Sequence, residues 1–181
     1  MAFWIGQAKM YDASATDGKI CKGYKGVGTD GQYIYYTPFH NGSAYHGVVL
    51  RQKIYAVFSD SGSWEAYDAG ATNGLTAKGF AGNPVFDGRF MYFVPSNNGS
   101  PHGIVLRYDT TKPFKDSGSW EAYNAGSVGG LATKGFSAGV FDGERFIYFV
   151  PFYNGAYNGI IMRFDTAKPF KDSGSWEAYD F

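Results

Sequence analysis

The sequence predicts an all-β fold of three tandem, propeller-like blades, each a four-stranded antiparallel sheet of about 56 residues. The phrase Ser-Gly-Ser-Trp-Glu-Ala-Tyr begins at Ser61, Ser117 and Ser173, so the same words return every 56 positions. A fixed period of this size indicates one supersecondary unit used repeatedly. The composition also favours strands and tight turns, because it contains 26 glycines and 19% aromatic residues.

A third observation distinguishes between architectures for three repeats. The segment Phe146-Ile-Tyr-Phe-Val is apolar at every position, whereas a strand with one exposed face alternates apolar and polar residues. We therefore expect this strand, and its counterparts in the other repeats, to be covered on both faces. A propeller blade has neighbours on both faces. A β-trefoil is the alternative, but its barrel strands bury one face and should alternate more clearly.

The repeats divide the chain into one domain with four parts. Residues 16–71, 72–127 and 128–181 are the three repeats, and residues 1–15 precede them. Residues 1–12 are predicted to form a lone strand, because Tyr11-Asp12 aligns with Tyr67-Asp68 one period later. This segment therefore corresponds to the fourth strand of a repeat whose first three strands are absent.

Each repeat contains four short strand signals. In the middle repeat they lie at residues 79–86, 89–94, 103–108 and 120–123. The first two are separated by Asp87-Gly88, a strong signal for a tight hairpin, and Asp30-Gly31 and Asp142-Gly143 take the same place in the other repeats. A proline ends the second strand in every repeat. The corresponding strands are predicted at 23–29, 33–36, 47–51 and 64–67, and at 135–141, 145–150, 159–164 and 176–179.

The middle repeat resembles the kelch-type blade of β-propellers. The residues that carry the resemblance are a hairpin over Asp87-Gly88, the strand end Arg107-Tyr108-Asp109 and the outer-strand tryptophan Trp120. The resemblance extends over residues 22–181. It implies a propeller fold, and it implies little about function, because kelch-like propellers include protein-binding scaffolds, oxidases and sugar-binding proteins.

Charge and composition exclude several classes of partner. Sixteen basic and sixteen acidic residues give no net charge, so there is no electrostatic reason to expect a nucleic acid or an anionic membrane as a partner. No apolar run approaches the roughly 20 residues of a membrane helix. The single cysteine, Cys21, is expected to be a small buried residue. It leaves the compartment open and favours the cytoplasm.

The candidate ligand site lies in the connections between the second and third strands. These connections differ in sequence but keep aromatic rings beside amide and imidazole groups, which suits stacking on sugar rings or flat side chains. In a propeller they share one face with the connections between blades. The candidate ligand-binding residues are His40, Asn41, Tyr45, His46, Asn97, His102, Tyr153, Asn154 and Tyr157, with Lys22, Lys78 and Lys134 from the connections between blades.

Each of these residues also has a structural interpretation. An asparagine before glycine makes a turn, which is sufficient to explain Asn41 and Asn154, and the aromatic residues can pack against the next blade. Residues repeated in every blade are interpreted as structural: a tryptophan that packs between blades (Trp64, Trp120, Trp176), and an arginine expected to pair with an aspartate, namely Arg51 with Asp60, Arg107 with Asp116 and Arg163 with Asp172.

The sequence favours a non-enzymatic binding or scaffold protein with a carbohydrate or protein ligand. We expect no catalytic residue, no cofactor and no metal site, because the common catalytic and phosphate-binding motifs are absent and the three histidines form no tight set. The alternative is a hydrolase or lyase acting on carbohydrate. Since three blades leave an open arc, we also expect a homodimer that closes a six-bladed ring, with Phe3 and Trp4 docked on the neighbouring chain.

Overall fold

The computed structural model describes residues 9–181, which form three antiparallel sheets of four strands each. Every sheet is built from four consecutive strands in sequence order. Blade 1 contains β1 (Tyr24–Thr29), β2 (Tyr33–Pro38), β3 (Val48–Lys53) and β4 (Trp64–Asp68). Blade 2 contains β5 (Phe80–Phe86), β6 (Phe90–Pro95), β7 (Ile104–Asp109) and β8 (Trp120–Asn124). Blade 3 contains β9 (Phe136–Phe141), β10 (Phe146–Pro151), β11 (Ile161–Asp165) and β12 (Trp176–Tyr179).

The blades are arranged side by side like part of a propeller, and the arc is not closed. The first strands β1, β5 and β9 are neighbours along the inner edge of the arc. Glycine permits this close approach, because a Cβ atom at Gly26 would lie 1.9 Å from the carbonyl oxygen of Gly82. The predicted propeller-like architecture is confirmed. The trefoil alternative is wrong, because in residues 9–181 each repeat forms its own four-stranded sheet, whereas a trefoil joins strands of all three repeats in one barrel.

The Ser-Gly-Ser-Trp phrase forms the same local structure in each blade. In blade 2 it begins with a 3₁₀ turn, Ser117–Ser119, capped by the side chain of Asp116, which accepts a hydrogen bond from the Gly118 amide at 2.9 Å. The Trp120 indole then donates to the carbonyl of Phe114 at 2.9 Å. The same cap and indole bond recur in blades 1 and 3. The other 3₁₀ turns are Thr16–Gly18, Ser61–Ser63, Thr72–Gly74, Val128–Gly130 and Ser173–Ser175.

The hydrophobic core lies between blades rather than within them. One cluster joins blades 1 and 2 and includes Tyr35, Tyr108 and Trp120, and a second joins blades 2 and 3 and includes Tyr92 and Trp176. A smaller third cluster covers the outer side of blade 1 around Trp64, Cys21 and the N-terminal segment. The predicted packing between blades is confirmed for Trp120 and Trp176, whereas Trp64 is buried at the end of the arc with no preceding blade. The burial of Cys21 is confirmed.

Two sequence predictions about strands need correction. β6 is covered on both faces as expected, but in β10 the side chain of Val150 is 45% exposed, because blade 3 has no following blade. Residues 9–12 form no strand, since no neighbouring strand offers them backbone partners. Residues 1–8 of the predicted strand, with Phe3 and Trp4, lie outside the described residues.

No helix within residues 9–181 has the length and apolar character needed to span a membrane.

Candidate functional site

The connections between second and third strands lie together with the connections between blades. We call their common surface the loop face, comprising residues 39–47, 96–103 and 152–159 with residues 22–23, 78–79 and 134–135. Backbone hydrogen bonds join the two sets. The backbone N–H of Asn97 donates to the carbonyl of Gly79 at 2.9 Å, and the backbone N–H of Gly79 donates to the carbonyl of His46 in the preceding blade at 3.2 Å. Gly135 repeats this arrangement between His102 and Tyr153. The loop face is therefore held rigidly by the scaffold.

The asparagines of the loop face are used mainly to shape the loops. The Asn41 side-chain oxygen accepts hydrogen bonds from the amides of Ser43 and Ala44 at 3.0 and 2.9 Å. The Asn97 oxygen accepts one from Gly99. Asn154 uses its amide group to donate to the carbonyl of Ala132 at 3.0 Å, which ties the loop to the preceding connection and leaves its side-chain oxygen for other partners.

Two of the three histidines are interior residues. His46 and His102 are both buried, and each ring accepts a backbone amide hydrogen bond at Nδ1, from Val48 and Ile104 respectively. The His102 Nε2 lies 3.2 Å from the carbonyl of Gly79 and donates to it. Burial lowers the pKa of both imidazoles, so both stay neutral at pH 7. These two candidates support the loops from below and do not reach the surface where a ligand would bind.

The remaining candidates of blade 1 are partly covered by blade 2. The rings of His40 and Tyr45 meet edge to face at 4.8 Å between centroids. Tyr45 in turn packs on Gly79, where a Cβ atom would come within 2.9 Å of the tyrosine ring and 1.7 Å of the Asn97 carbonyl oxygen. Gly79 has a φ of +72°, so both its conformation and its surroundings require glycine. Tyr45 therefore contributes to the contact between blades as well as to the surface.

Blade 3 has the most exposed aromatic group on the loop face. Phe152, Tyr153 and Tyr157 are 50%, 42% and 78% exposed. The Tyr157 ring meets Phe152 and Tyr153 edge to face, with centroids 5.5 and 5.6 Å apart, so the three rings hold one another. Phe152 was not among the residues selected from the sequence, although it precedes Tyr153 directly and the same position in blade 1 is Phe39.

The three lysines of the loop face differ in exposure. Lys22 and Lys134 are exposed. Lys78 is half-buried, because its aliphatic chain lies across Gly70, where a Cβ atom would come within 3.0 Å of the lysine Cε. The exposed positive charge of the loop face therefore comes from Lys22, before blade 1, and Lys134, between blades 2 and 3.

The repeated arginines are paired with glutamates, so the predicted pairing with aspartates is wrong. Arg107 donates two hydrogen bonds to Glu121, at 2.9 and 2.6 Å, and Arg51 with Glu65 and Arg163 with Glu177 repeat the pair. The pairing follows from strand register, because the two residues stand opposite each other in neighbouring strands. Burial raises the pKa of Glu121, but the bonds from Arg107 outweigh this and lower it overall. Asp60, Asp116 and Asp172 cap 3₁₀ turns instead.

Most acids near the sheets are already engaged by protein groups. Asp30 and Asp87 form the hairpin turns and accept hydrogen bonds from Tyr35 and Tyr92 at 2.7 Å. Asp109 and Asp165 pair with Arg89 and Arg145, which directly precede β6 and β10, at 2.8 and 2.6 Å. Within residues 9–181 no three His, Cys, Asp or Glu side chains lie close enough together to hold a metal ion.

A depression that the sequence analysis did not identify lies on the side of blade 3 and has a volume of about 430 Å³. Tyr148, Arg163 and Tyr179 line it, with Ile161 and Phe181. Neither a protein-family model nor a curated protein matches the chain.

Proposed function

We propose that the protein is a non-enzymatic binding or scaffold protein whose loop face binds a carbohydrate. The observation that carries this proposal is the group of exposed rings at Phe152 and Tyr153, held edge to face by Tyr157. Exposed aromatic faces offer apolar area to the C–H face of a sugar ring. The free side-chain oxygen of Asn154 stands in the same loop and can accept a hydrogen bond from a sugar hydroxyl.

The engagement of the acidic residues supports binding rather than catalysis. A glycosidase requires two carboxyl groups on either side of the scissile bond, one of them free to donate a proton. The carboxylates of Asp109, Asp165 and Glu121 are instead paired with arginines, and the pKa of each is lowered, so they remain ionised at neutral pH. The resemblance of the repeats to kelch-type blades, which include sugar-binding and protein-binding scaffolds, is compatible with the same function.

A glycan array followed by calorimetric titration of the strongest ligand tests this proposal. Tyr153→Ala is expected to weaken binding by about 1 to 2 kcal/mol, because it removes one stacking face. Tyr55→Ala is the matched control, because Tyr55 is 90% exposed and lies in the connection between β3 and β4, away from the loop face. This control should bind normally, and both variants should keep the melting temperature of the wild-type protein.

Three results would contradict parts of the proposal. Normal binding by Tyr153→Ala would remove the site from this loop. Turnover of any sugar in a glycosidase or lyase screen would contradict the non-enzymatic assignment and favour the hydrolase alternative. An array without any bound glycan would contradict the carbohydrate ligand and leave a protein ligand for this face.

A further inference from the structure

The contact between blades 1 and 2 uses three side chains from blade 1 and two aromatic residues from blade 2. The guanidinium of Arg51 lies 4.1 Å from the centroid of the Phe114 ring, and Tyr35 meets the same ring at 6.4 Å. Tyr67 stacks on Trp120 with centroids 5.3 Å apart and an angle of 15° between the ring planes. Phe114 is thereby enclosed, and cation–π and stacking contacts contribute to the joint.

Blades 2 and 3 are joined in the same way. The guanidinium of Arg107 lies 4.2 Å from the Phe170 ring, and Tyr92 meets that ring at 6.2 Å. Tyr123 stacks on Trp176 at 5.4 Å and 19°. Each blade therefore presents a tyrosine, an arginine and a second tyrosine on one side, and a phenylalanine and a tryptophan on the other. The two joints define what each side of a blade is built to contact.

In blade 3, the side that carries the two tyrosines and the arginine has no following blade to contact. We call this surface the open face of blade 3, comprising Tyr148, Val150, Ile161, Arg163 and Tyr179. The corresponding residues of blade 2 are fully buried: Val94, the counterpart of Val150, and Val105, the counterpart of Ile161, have no exposed surface. Val150 is 45% exposed. Tyr179 is 65% exposed. The 430 Å³ depression lies here, where a phenylalanine of a further blade is missing.

Blade 1 presents the complementary side without a preceding blade. We call this surface the open face of blade 1, comprising Phe58 and Trp64. Phe58 is 44% exposed, although its counterparts Phe114 and Phe170 are buried by the preceding blade. Trp64 is covered by Tyr11, which stacks on it at 5.3 Å and 20°. This is the geometry of Tyr67 on Trp120, so Tyr11 occupies the position of a tyrosine from a preceding blade.

We propose that the open face of blade 3 binds the open face of blade 1 of a second copy of this chain, with Tyr179 of one copy replacing Tyr11 on Trp64 of the other. Phe58 of the second copy fills the depression beside Arg163 and Tyr148. A second copy of the chain is the expected partner, because the two open faces carry the same residue types, at the same positions, as the faces that meet in the two joints within the chain. Two such contacts related by a twofold axis close a ring of six blades.

The replacement of Tyr11 makes association competitive with a contact inside the chain. One face of the Trp64 indole accepts one stacked ring, so the contacts with Tyr11 and with Tyr179 of the second copy exclude each other. Tyr11 covers Trp64 while the chain is alone, and association must displace it. This proposal concerns the two end surfaces of the arc and does not rest on a ligand at the loop face.

Light scattering and sedimentation of the full chain across micromolar concentrations test the contact. We expect wild-type protein at twice the 19.8 kDa chain mass. Phe58→Asp and Tyr179→Asp should each raise the dissociation constant at least tenfold, because each puts a carboxylate into an apolar contact. Tyr55→Asp is the control, three residues before Phe58 and fully outside the joint, and it should associate like wild type. Circular dichroism checks that every variant is folded.

Mixing the two variants distinguishes this contact from any symmetric one. An equimolar mixture of Phe58→Asp and Tyr179→Asp keeps one intact pair of faces, so heterodimers should form where neither variant forms dimers alone. A monomeric wild-type protein, dimers that survive either substitution, or a mixture that stays monomeric would each overturn the proposed contact. If Phe58→Asp does not fold, Tyr179→Asp with wild type still tests it, since one intact contact remains.

Tyr11→Ala tests the competition. Removal of the ring that covers Trp64 should lower the dissociation constant at least threefold, and the tryptophan fluorescence of the isolated chain should change. An unchanged or weakened dimer in Tyr11→Ala would show that Tyr11 is not displaced on association, and this result would overturn the exchange.

Discussion

Tyr67 lies flat on Trp120, with 5.3 Å between ring centroids, and thereby joins the last strand of blade 1 to the last strand of blade 2. Trp120 also contacts Phe93, Tyr108 and Phe114 and is 2% exposed. Trp120 therefore contacts rings of both blades, and its removal should affect both of them.

In dilute monomeric protein, Trp120→Ala is expected to lower the free energy of unfolding by about 3 to 5 kcal/mol, the usual range for a large-to-small change in a core. Trp64→Ala is the matched comparison, because Trp64 contacts three aromatic rings among the described residues rather than four. We expect its loss to be smaller by about 1 kcal/mol. Urea denaturation measures both values, and equal losses would contradict the assignment of Trp120 to the centre of a joint.

Arg107→Ala should destabilise the protein more than Arg163→Ala. The Arg107 side chain is 12% exposed and is enclosed by Phe90 and Phe170, whereas that of Arg163 is 37% exposed at the open end of the arc. We expect a loss of about 2 kcal/mol for Arg107→Ala, because it removes the packing against two rings and leaves Glu121 with only Lys171, at 3.5 Å, and below about 1 kcal/mol for Arg163→Ala. The comparison should be made with dilute monomeric protein, and a larger loss at Arg163 would refute it.

Gly79→Ala should destabilise the protein more than Gly74→Ala, although both glycines have a φ of +72°. A Cβ atom at Gly74 meets nothing within 4 Å, so only the left-handed conformation matters there, at a cost of roughly 1 to 2 kcal/mol. At Gly79 the same atom would clash with the Asn97 carbonyl oxygen, which should add roughly 1 to 3 kcal/mol. Thermal unfolding of the two variants separates the cost of the left-handed conformation from the cost of the clash. Equal melting temperatures would mean that the loop containing Asn97 moves away without cost.

Acid should weaken the pair between Arg145 and Asp165. Hydrogen bonds from the Arg145 guanidinium lower the pKa of Asp165 to about 2, below its ordinary value of 3.8. Because the carboxylate is favoured in the folded state, its contribution to stability is present above about pH 4 and is lost as the pH falls towards 2. Asp165→Asn should flatten this part of a plot of unfolding free energy against pH. Glu144→Gln, at an exposed hairpin tip, is the control that should leave the slope unchanged.

The sequence predicts the strands well, because Asp-Gly turns and prolines mark where the strands end. The third strand of the middle repeat was predicted at 103–108 and is Ile104–Asp109. Gly103 directly precedes the strand and lies against Gly126, where a Cβ atom would come within 2.4 Å of the Gly126 Cα. Such close approaches between residues distant in sequence depend on the whole fold, so the local sequence pattern does not predict them.

The errors concern which groups meet across strands and which way loop side chains point. The recurrence of both residues predicts a pair of Arg107 with Asp116, but strand register places Arg107 opposite Glu121. His40 and His46 occupy one loop and share a chemistry, yet His46 is buried and His40 is only partly covered. Register and burial depend on the length of each connection and on the neighbouring blade, and a single sequence does not specify them.

Within residues 9–181, each blade obtains all four of its strands from one uninterrupted stretch of chain, so none of these sheets depends on pairing between distant parts of that stretch. Formation of a blade requires only the closure of short loops, and its neighbour can then add to the completed joint. Folding can thus begin at any repeat and proceed along the arc during synthesis. Duplication or loss of a whole repeat would lengthen or shorten the arc without disturbing hydrogen bonding inside the remaining sheets, so the number of blades per chain is open to change by recombination at residues 71–72 or 127–128.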